Sequence, residues 1–478
     1  MRQFSNYIAG RWVDGDDARP DVNPSDTSDI VGEAAMGGAD DVAAAVAAAQ
    51  EAFASWSHSP IQQRFDVLDA AGSTILARAD ELGRLLAREE GKPIGEAVGE
   101  VKRAGQLFKF FAGETLRNAG ELLDSVRPGL TVEMTHEPVG VVGLITPWNF
   151  PIAIPAWKLA PALAYGNTVV MKPAELTPGC TWELVHILAE AGLPAGVLNL
   201  VMGEGSVVGQ ALLESDGVDA ISFTGSVAVG RRVAETCVRT GKRVQTEMGG
   251  KNPLLVLDDA DLALATSAAV NGAYFSTGQR CTASSRLIVT AGIHDRFVEA
   301  LDRQLAGLTV GNALDPDVQV GPVVDQRQLD QDLRYVDVAK QEGGTVTGGE
   351  RLELGTDGFF LRPALVTGTT STMRVNQEEI FGPVATVIRA GDYDEALALA
   401  NATEFGLSSG ICTSSLKHAA HFKRNARAGM VMVNAPTAGV DYHVSFGGRH
   451  GSSYGSREQG RAAREFYTQH KTAYVFPG

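Results

Sequence analysis

A cysteine and a glutamate in two glycine-containing stretches are the residues of this chain best suited to catalysis. Small, loop-forming residues surround Cys281 and predict an accessible sulfur: Thr277, Gly278 and Ser284. Glu247 follows a predicted strand at 243–246 and precedes two glycines, where backbone can approach closely. A thiolate can attack a carbonyl carbon, and a carboxylate can activate water. The pair is a candidate active site, although an isolated cysteine is more often buried and inert, and a glutamate more often lies in a surface salt bridge.

Composition limits the classes of protein to which the chain can belong. With 478 residues, 44% of them hydrophobic, it can bury a large core, and about three domains are expected. The formal net charge of -16 and the lack of Lys and Arg clusters disfavour nucleic acid and anionic membranes as partners. The first residues lack a signal peptide's apolar stretch, and no window approaches about 18 apolar residues, so we expect a cytoplasmic protein. The scattered cysteines predict neither disulfides nor a metal site: Cys180, Cys237, Cys281 and Cys412.

Hydrophobic periodicity predicts helices first and alternating strands and helices later. Asp40 or Asp41 is predicted to cap the first helix, a second runs over about 62–90 and stops at Gly91, and a third covers about 95–118. Beyond residue 138, short apolar runs alternate with helix-length stretches, as in βαβ units: 141–145, 168–171, 198–201 and 220–223. The alternation restarts with 253–257 and 286–290. These patterns predict an α/β protein with two parallel sheets.

Four motifs together resemble the NAD(P)-dependent aldehyde dehydrogenase superfamily, in its order and at its usual spacings. They are Trp148-Asn149-Phe150-Pro151, Lys172-Pro173-Ala174-Glu175, Glu247-Met248-Gly249-Gly250 and Gln279-Arg280-Cys281-Thr282. The resemblance implies a Rossmann-like NAD-binding domain (1–118 and 139–249), an α/β catalytic domain (250–446) and a small β oligomerisation element (119–138 and 465–478). The alternating apolar strand at 472–476 is expected to pair with a neighbouring subunit, in a homodimer or homotetramer.

The resemblance also assigns catalytic roles. Cys281 forms a thiohemiacetal with an aldehyde, from which hydride can leave, and Glu247 activates the water that hydrolyses the resulting thioester. The Asn149 amide and the backbone N–H of Cys281 stabilise the tetrahedral oxygen. Relatives that acylate coenzyme A lack this glutamate, so hydrolysis to a free acid is favoured over that alternative. The intact set likewise disfavours a non-catalytic binding protein on the same fold.

The cofactor implied by the resemblance is NAD, although the chain lacks a Gly-x-Gly-x-x-Gly motif. Carried over from the family, the cofactor-binding positions are Trp148, Lys172, Glu175, Gly205, Gly225, Ser226, Glu379 and Phe381. The carboxylate of Glu175 can accept hydrogen bonds from the adenine ribose hydroxyls but repels a 2'-phosphate. NAD is therefore expected over NADP.

Family positions that line the substrate tunnel are Phe150, Trp157, Phe275 and Phe446, all aromatic in this chain. Some relatives that take carboxylated semialdehydes have Arg where this chain has Trp157. Arg280, which precedes the nucleophile, is therefore the cation expected near a substrate carboxylate, with Arg286 and His443 as alternatives. The other interpretation of Arg280 is a structural arginine whose guanidinium binds a neighbouring carboxylate or backbone carbonyl.

Longer stretches point to a subgroup. The runs 275–286, 436–443 and 451–455 resemble bacterial α-ketoglutaric semialdehyde (2,5-dioxopentanoate) dehydrogenases, with Ser445 and His450 where Pro and Lys are usual. The expected substrate is 2,5-dioxopentanoate. Succinic semialdehyde, or a broad range of aliphatic and aromatic aldehydes, is the alternative.

Overall fold

The structure, a computed structural model, describes residues 2–15 and 17–478 and confirms the predicted α/β fold. Two large sheets, of eight and seven strands, form the centres of two helix-covered layers. Two further sheets have three strands each. Because most strands of the large sheets are parallel, their carboxyl ends gather at one edge of each sheet, and this arrangement positions the site.

The eight-stranded sheet has five parallel strands at its centre, as the alternating apolar runs predict. In spatial order its strands are Ser453–Tyr454, Arg243–Glu247, Ala220–Thr224, Val141–Ile145, Thr168–Lys172, Leu198–Leu200, Asn6–Ile8 and Arg11–Val13. The order reverses between Val141–Ile145 and Ala220–Thr224, which are neighbours in the sheet but distant in the chain. A reversal of this kind opens a crevice at the carboxyl ends of the strands, where α/β sheets bind ligands.

Helices cover both faces of this sheet. They are Ala39–Ser57, Ile61–Ala77, Ala79–Glu90, Ile94–Thr115, Ala153–Ala164, Pro178–Glu190, Gln210–Glu214, Val227–Thr240 and Ala463–Tyr467, with a π turn at Gly205–Gly209 and a 3-10 turn at Gly460–Ala462. Helix Ile94–Thr115 lies against both Ile61–Ala77 and Ala153–Ala164. Apolar residues on it are fully buried, so it is an internal support for the helices around it.

Two details of the N-terminal helices differ from the sequence prediction. Gly38, and not an aspartate, is the N-cap of the first helix; Asp41 accepts a hydrogen bond from the Gly38 N–H at 2.8 Å from within the first turn. The predicted helix over 62–90 is two helices, because Arg78 leaves helical geometry at φ -98° and ψ 17°. Gly91 ends the second one with φ +89°, as predicted, since a residue with a Cβ is strained in that conformation.

The seven-stranded sheet has six parallel strands and one antiparallel edge strand. In spatial order they are Thr345–Thr347, Ala364–Thr369, Val384–Ala390, Arg286–Thr290, Pro253–Val256, Ser408–Cys412 and Met430–Val433. The accompanying helices are Leu262–Tyr274, His294–Ala306, Gln326–Gln341, Arg374–Gln377, Tyr393–Asn401 and Leu416–Asn425, with 3-10 turns at Phe275–Gly278 and His450–Ser452. All seven strands lie inside the stretch predicted as the catalytic domain, 250–446, and the exact domain limits stay a prediction.

The C-terminal strand, Thr468–Val475, begins earlier than the predicted 472–476 and pairs first with its own chain. Its antiparallel partner is Thr131–Pro138, which also pairs with Glu121–Asp124. The expected hairpin is therefore present, and the C-terminal strand completes a three-stranded sheet in which it is one of the two edge strands. The other small sheet orders Gln3–Phe4, Ile30–Ala35 and Ala18–Val22.

Within residues 2–15 and 17–478, every helix is too short or too polar to span a bilayer.

Candidate active site

Cys281 lies just beyond a tightly wound loop between the two large sheets. Ser276, Thr277 and Gly278 have positive φ angles of 51°, 55° and 67° in succession. A Cβ on Gly278 would lie 2.2 Å from the Gly382 carbonyl oxygen, so only glycine fits there. Three consecutive residues in this conformation turn the chain sharply and leave the sulfur at the junction of two cavities.

Hydrogen bonds from distant segments hold this loop. Glu96 accepts from the Ser276 N–H at 3.0 Å and the Ser276 hydroxyl at 2.6 Å. On the other side, the Asn252 amide donates to the Cys281 carbonyl at 2.7 Å. The nucleophile loop is thus fixed by one helix of the first layer and one loop of the second.

The surroundings of Cys281 keep its thiol protonated. Burial, with Glu379 and Glu247 as neighbouring negative charges, raises its pKa to about 12. The other three cysteines, Cys180, Cys237 and Cys412, are buried, whereas Cys281 is partly exposed. Cys281 is therefore the accessible thiol among these four, and its proton must leave as the sulfur attacks.

Asn149 lies close to the nucleophile loop. Its side-chain amide donates to the Gln279 carbonyl at 2.9 Å, and its own carbonyl accepts from Lys92 at 2.7 Å. Asn149 and Cys281 line one cavity together. The residue is 3% exposed, with its backbone and its side chain each held by one of these hydrogen bonds, a fixed position suited to the oxyanion role expected from the sequence.

Glu247 is buried at the carboxyl end of its strand. Ser453, its partner in the antiparallel strand pair, donates to the carboxylate. Gly447 approaches so closely that a Cβ there would lie 2.5 Å from the Glu247 oxygen. Burial and the nearby Glu458 raise the pKa of Glu247 well above its usual value. A carboxylate whose pKa is raised is a stronger base than an exposed glutamate, which suits the general-base role expected from the sequence.

A buried polar network adjoins Glu247. Lys158 is ion-paired with Glu458 and donates to the Ser222 hydroxyl at 2.7 Å, and Ser222 donates to Gln245 at 2.9 Å. Nothing in the local sequence singles out Lys158 or Glu458, because the two are 300 residues apart. Their pairing became visible only in the folded chain.

A cofactor-sized cleft lies where the order of the eight-stranded sheet reverses. It has a volume of about 450 Å³ and is lined by six of the expected cofactor positions: Trp148, Lys172, Glu175, Gly205, Gly225 and Ser226. Ser226 is the N-cap of helix Val227–Thr240, and no side chain of the described residues caps that helix start. Its first backbone N–H groups are therefore available to a phosphate, which a helix N-terminus attracts.

Glu175 lies at the outer end of this cleft. Its carboxylate is 3.3 Å from Lys172 and 3.4 Å from Arg19, and it accepts from the Gly205 N–H at 2.6 Å. Arg19 was not expected here, since it comes from the N-terminal three-stranded sheet. The close contact with Gly205 leaves the loop backbone open to a ligand.

A second cavity, of about 330 Å³, continues the cleft to Cys281. Trp148, Gly225 and Ser226 line both cavities, and the second adds the two remaining expected cofactor positions, Glu379 and Phe381. Glu379 accepts from the Gly250 N–H at 2.9 Å, and burial raises its pKa to about 7. The eight predicted cofactor positions thus lie along one path that ends at the sulfur.

The substrate cavity, about 240 Å³, lies on the other side of Cys281. Phe150, Trp157 and Phe446 line it as expected, and the Trp157 and Phe446 rings are 5.3 Å apart. Sequence patterns did not single out Lys92, Glu96, Glu100 and Arg103, which also line it. The spacing of the last three within the predicted helix 95–118, which puts them on one face, is the signal that could have found them.

The structure places the four remaining candidates differently from the sequence expectation. Arg280 lines the cavity, but its guanidinium is bound to Glu96 and to the Asn271 carbonyl. Phe275 packs against the core of the seven-stranded sheet. Arg286 is fully buried and donates to the Leu399 carbonyl at 2.6 Å, and His443 lies on the surface.

The carboxyl edge of the seven-stranded sheet also has a crevice, of about 640 Å³. Four aspartates line it: Asp258, Asp259, Asp392 and Asp394. Lys417, His418 and His421 line it as well, whereas the cleft of the first sheet has the uncapped start of helix Val227–Thr240, which attracts phosphate.

Comparison with known proteins agrees with this geometry. The aldehyde dehydrogenase family model matches residues 12–473. The alpha-ketoglutaric semialdehyde dehydrogenase of Bacillus subtilis (strain 168) is 45% identical over 480 residues, covering 99% of this chain and 98% of that protein. A putative aldehyde dehydrogenase from Burkholderia cenocepacia superimposes with a TM-score of 0.96 at 40% identity, covering 99% of this chain and 98% of that one.

A betaine aldehyde dehydrogenase from Staphylococcus aureus, solved in complex with NAD+, also superimposes with a TM-score of 0.96. It is 34% identical, and the match covers 99% of this chain and 95% of that one. The family model spans nearly the whole sequence, and these full-length relatives are all more than one third identical to the chain. The chain belongs to the aldehyde dehydrogenase family.

Proposed function

We propose that the protein oxidises 2,5-dioxopentanoate (α-ketoglutaric semialdehyde) to the free acid with NAD. One observation carries the proposal. A continuous path leads from the place where the strand order of the eight-stranded sheet reverses, past Cys281, into a cavity whose lining has more cations than carboxylates. The name of the 45% identical Bacillus relative supports the substrate, and the NAD complex of the Staphylococcus relative supports the cofactor.

The first chemical step belongs to Cys281. Its sulfur attacks the aldehyde carbon, the thiol proton passes to solvent water, and the new oxyanion accepts hydrogen bonds from the Asn149 amide and the Cys281 N–H. Removal of one such donor typically costs about 2.7 to 4 kcal/mol of transition-state stabilisation. With NAD bound in the cleft, this tetrahedral carbon would have a hydride acceptor beside it.

Glu247 completes the cycle. The thioester on Cys281 needs a water nucleophile, and the Glu247 carboxylate takes the proton of that water. Its raised pKa makes the carboxylate a stronger base than an exposed glutamate. Hydrolysis then releases the acid and regenerates the thiol.

The residues of the cleft fit NAD. The uncapped start of helix Val227–Thr240 would hold the pyrophosphate, Glu175 would accept hydrogen bonds from the adenine ribose, and Glu379 and Phe381 would hold the nicotinamide ribose near Cys281.

We expect Glu247→Gln to separate the two half-reactions. Hydride transfer needs Cys281 but not this base, so a pre-steady-state burst of NADH should persist while steady-state turnover falls. Cys281→Ala is the comparison and should lose both burst and turnover, together with active-site alkylation. Loss of the burst in Glu247→Gln would assign Glu247 to an earlier step.

The pH dependence of turnover should follow Glu247. Because its pKa is raised, the ionised base and hence deacylation are lost as pH falls through a value above the usual glutamate range. Glu458→Gln removes a charge that raises this pKa and leaves the Lys158 cation unpaired, so the acidic limb of kcat should move to lower pH. The exposed Glu465→Gln is the control. An acidic limb that stays in place, or moves upward, in Glu458→Gln contradicts this coupling.

Wild-type enzyme should prefer NAD to NADP in kcat/KM because Glu175 repels a 2'-phosphate. Glu175→Gln should shift the ratio toward NADP by about tenfold or more, since Lys172 and Arg19 then face the phosphate without a competing carboxylate. Glu204→Gln, on the same loop but exposed, should leave the ratio unchanged. Equal use of both cofactors by the wild type would refute the role of Glu175.

We also expect a homodimer or homotetramer. The three-stranded sheet has two edge strands and exposes large apolar side chains: Leu122, Leu123, Val126, Tyr474 and Phe476. The double variant Leu122→Glu/Phe476→Glu should weaken assembly in light scattering at micromolar concentration, and Leu416→Glu, on a distant exposed helix, should not. A monomeric wild type would rule out the proposed assembly.

A further inference from the structure

The substrate cavity contains one cation more than it contains carboxylates. Its charged lining residues are Lys92, Arg103 and Arg280 against Glu96 and Glu100. A cavity of about 240 Å³ that is walled by aromatic rings screens such a charge poorly. Which cation is the extra one therefore decides where an anionic substrate group can bind.

Two of the three cations belong to closed ion pairs. Lys92 Nζ is 2.6 Å from Glu100 and 3.9 Å from Glu90, which lies behind the lining, and Arg280 is hydrogen-bonded to Glu96. Each carboxylate also accepts two further hydrogen bonds from neighbouring backbone or hydroxyl groups. Truncating either partner would leave the other charge without its counter-ion. These two pairs therefore stabilise the wall of the cavity.

Arg103 is the cation without such a pair. Among residues 2–15 and 17–478, no carboxylate lies within 4.0 Å of its guanidinium. One terminal nitrogen donates to Gln459 at 3.1 Å, and the guanidinium carbon is 5.8 Å from the centre of the Trp157 ring. The Nε atom is buried and has no hydrogen-bond partner among the described residues; the same is true of Arg280 Nε, but the terminal nitrogens of Arg280 are bound to Glu96 and to the Asn271 carbonyl. A buried donor left unsatisfied on a charged group is costly, unless a ligand supplies the acceptor.

We propose that Arg103 binds the distal carboxylate of the substrate and thereby selects carboxylated semialdehydes over uncharged aldehydes. This assignment rests on the proposed function and corrects the sequence expectation that Arg280 does so. A substrate carboxylate gives Nε its missing acceptor and can bind side by side to Nε and a terminal nitrogen, the geometry that a guanidinium favours. It also neutralises the extra cation. An uncharged aldehyde does neither.

Neighbouring groups hold Arg103 in place for this task. Gln459 is fully buried and has a positive φ of 57°, so its amide oxygen has a fixed position from which to hold one terminal nitrogen. The Trp157 ring lies beside the guanidinium and stabilises a cation. Some carboxylate-selective relatives have an arginine at the position of Trp157. In this chain Trp157 instead supports Arg103, which comes from helix Ile94–Thr115.

The test compares 2,5-dioxopentanoate and 5-oxopentanoate with pentanal, which lacks the carboxylate. Arg103→Met should lower kcat/KM for both carboxylated substrates by about 30-fold or more, mainly through KM, because one partner of a desolvated charge pair is lost. Pentanal should change by less than roughly threefold. Arg103→Lys should retain part of the preference, and Lys102→Met, which removes an exposed charge from the next position of the same helix, should match the wild type.

A second measurement separates this inference from the proposed substrate. Glutarate should inhibit pentanal oxidation by the wild type competitively, and Arg103→Met should abolish that inhibition. If the wild type does not turn over 2,5-dioxopentanoate but glutarate inhibition depends on Arg103, the substrate is wrong and the carboxylate site stands. An equal loss for pentanal and the carboxylated substrates, or no loss for any of them, overturns the role of Arg103.

Discussion

The polar face of helix Ile94–Thr115 is the feature on which the substrate side of the site depends. Glu96, Glu100 and Arg103 follow one another along that face at successive helical turns. Glu96 fixes the nucleophile loop through Ser276 and Arg280, and Glu100 accepts the backbone N–H groups at the start of helix Ala153–Ala164. A carboxylate at that helix start also complements its dipole. The helix therefore aligns the nucleophile with the wall of the substrate cavity.

Burial determines the protonation chemistry. The same exclusion of water raises the pKa values of Cys281, Glu247 and Glu379, because each charged form loses its solvation. A resting thiol and a basic carboxylate follow from this one cause. The thiol therefore stays protonated until a substrate enters. The site then offers both a nucleophile and a base in surroundings from which bulk water is excluded.

Parallel topology gathers residues that are remote in the chain. Glu247, Lys172 and the start of the Trp148 motif all follow parallel strands of one sheet, so they share its carboxyl edge. The short strand Ser453–Tyr454, which no sequence pattern predicted, adds the antiparallel partner that holds Glu247. The sheet therefore brings the cofactor path and the general base to the same end of the molecule.

Sequence alone was sufficient for the fold class, and it named the candidate catalytic residues. The apolar runs that predict parallel strands are local, and so are the motifs around Asn149, Glu247 and Cys281, because a tight loop or a strand end needs particular residues in sequence. The division of the helix at Arg78 escaped prediction, since one residue out of helical geometry leaves the apolar periodicity almost unchanged.

Only the tertiary structure decided which cation of the cavity is available. Arg280 stands beside the nucleophile in the chain and is the obvious choice, yet its partner Glu96 lies 184 residues away. Arg103, on the same helix as Glu96, is left without a carboxylate. Charge pairing depends on distance in space and on burial, and neither quantity is written in the local sequence.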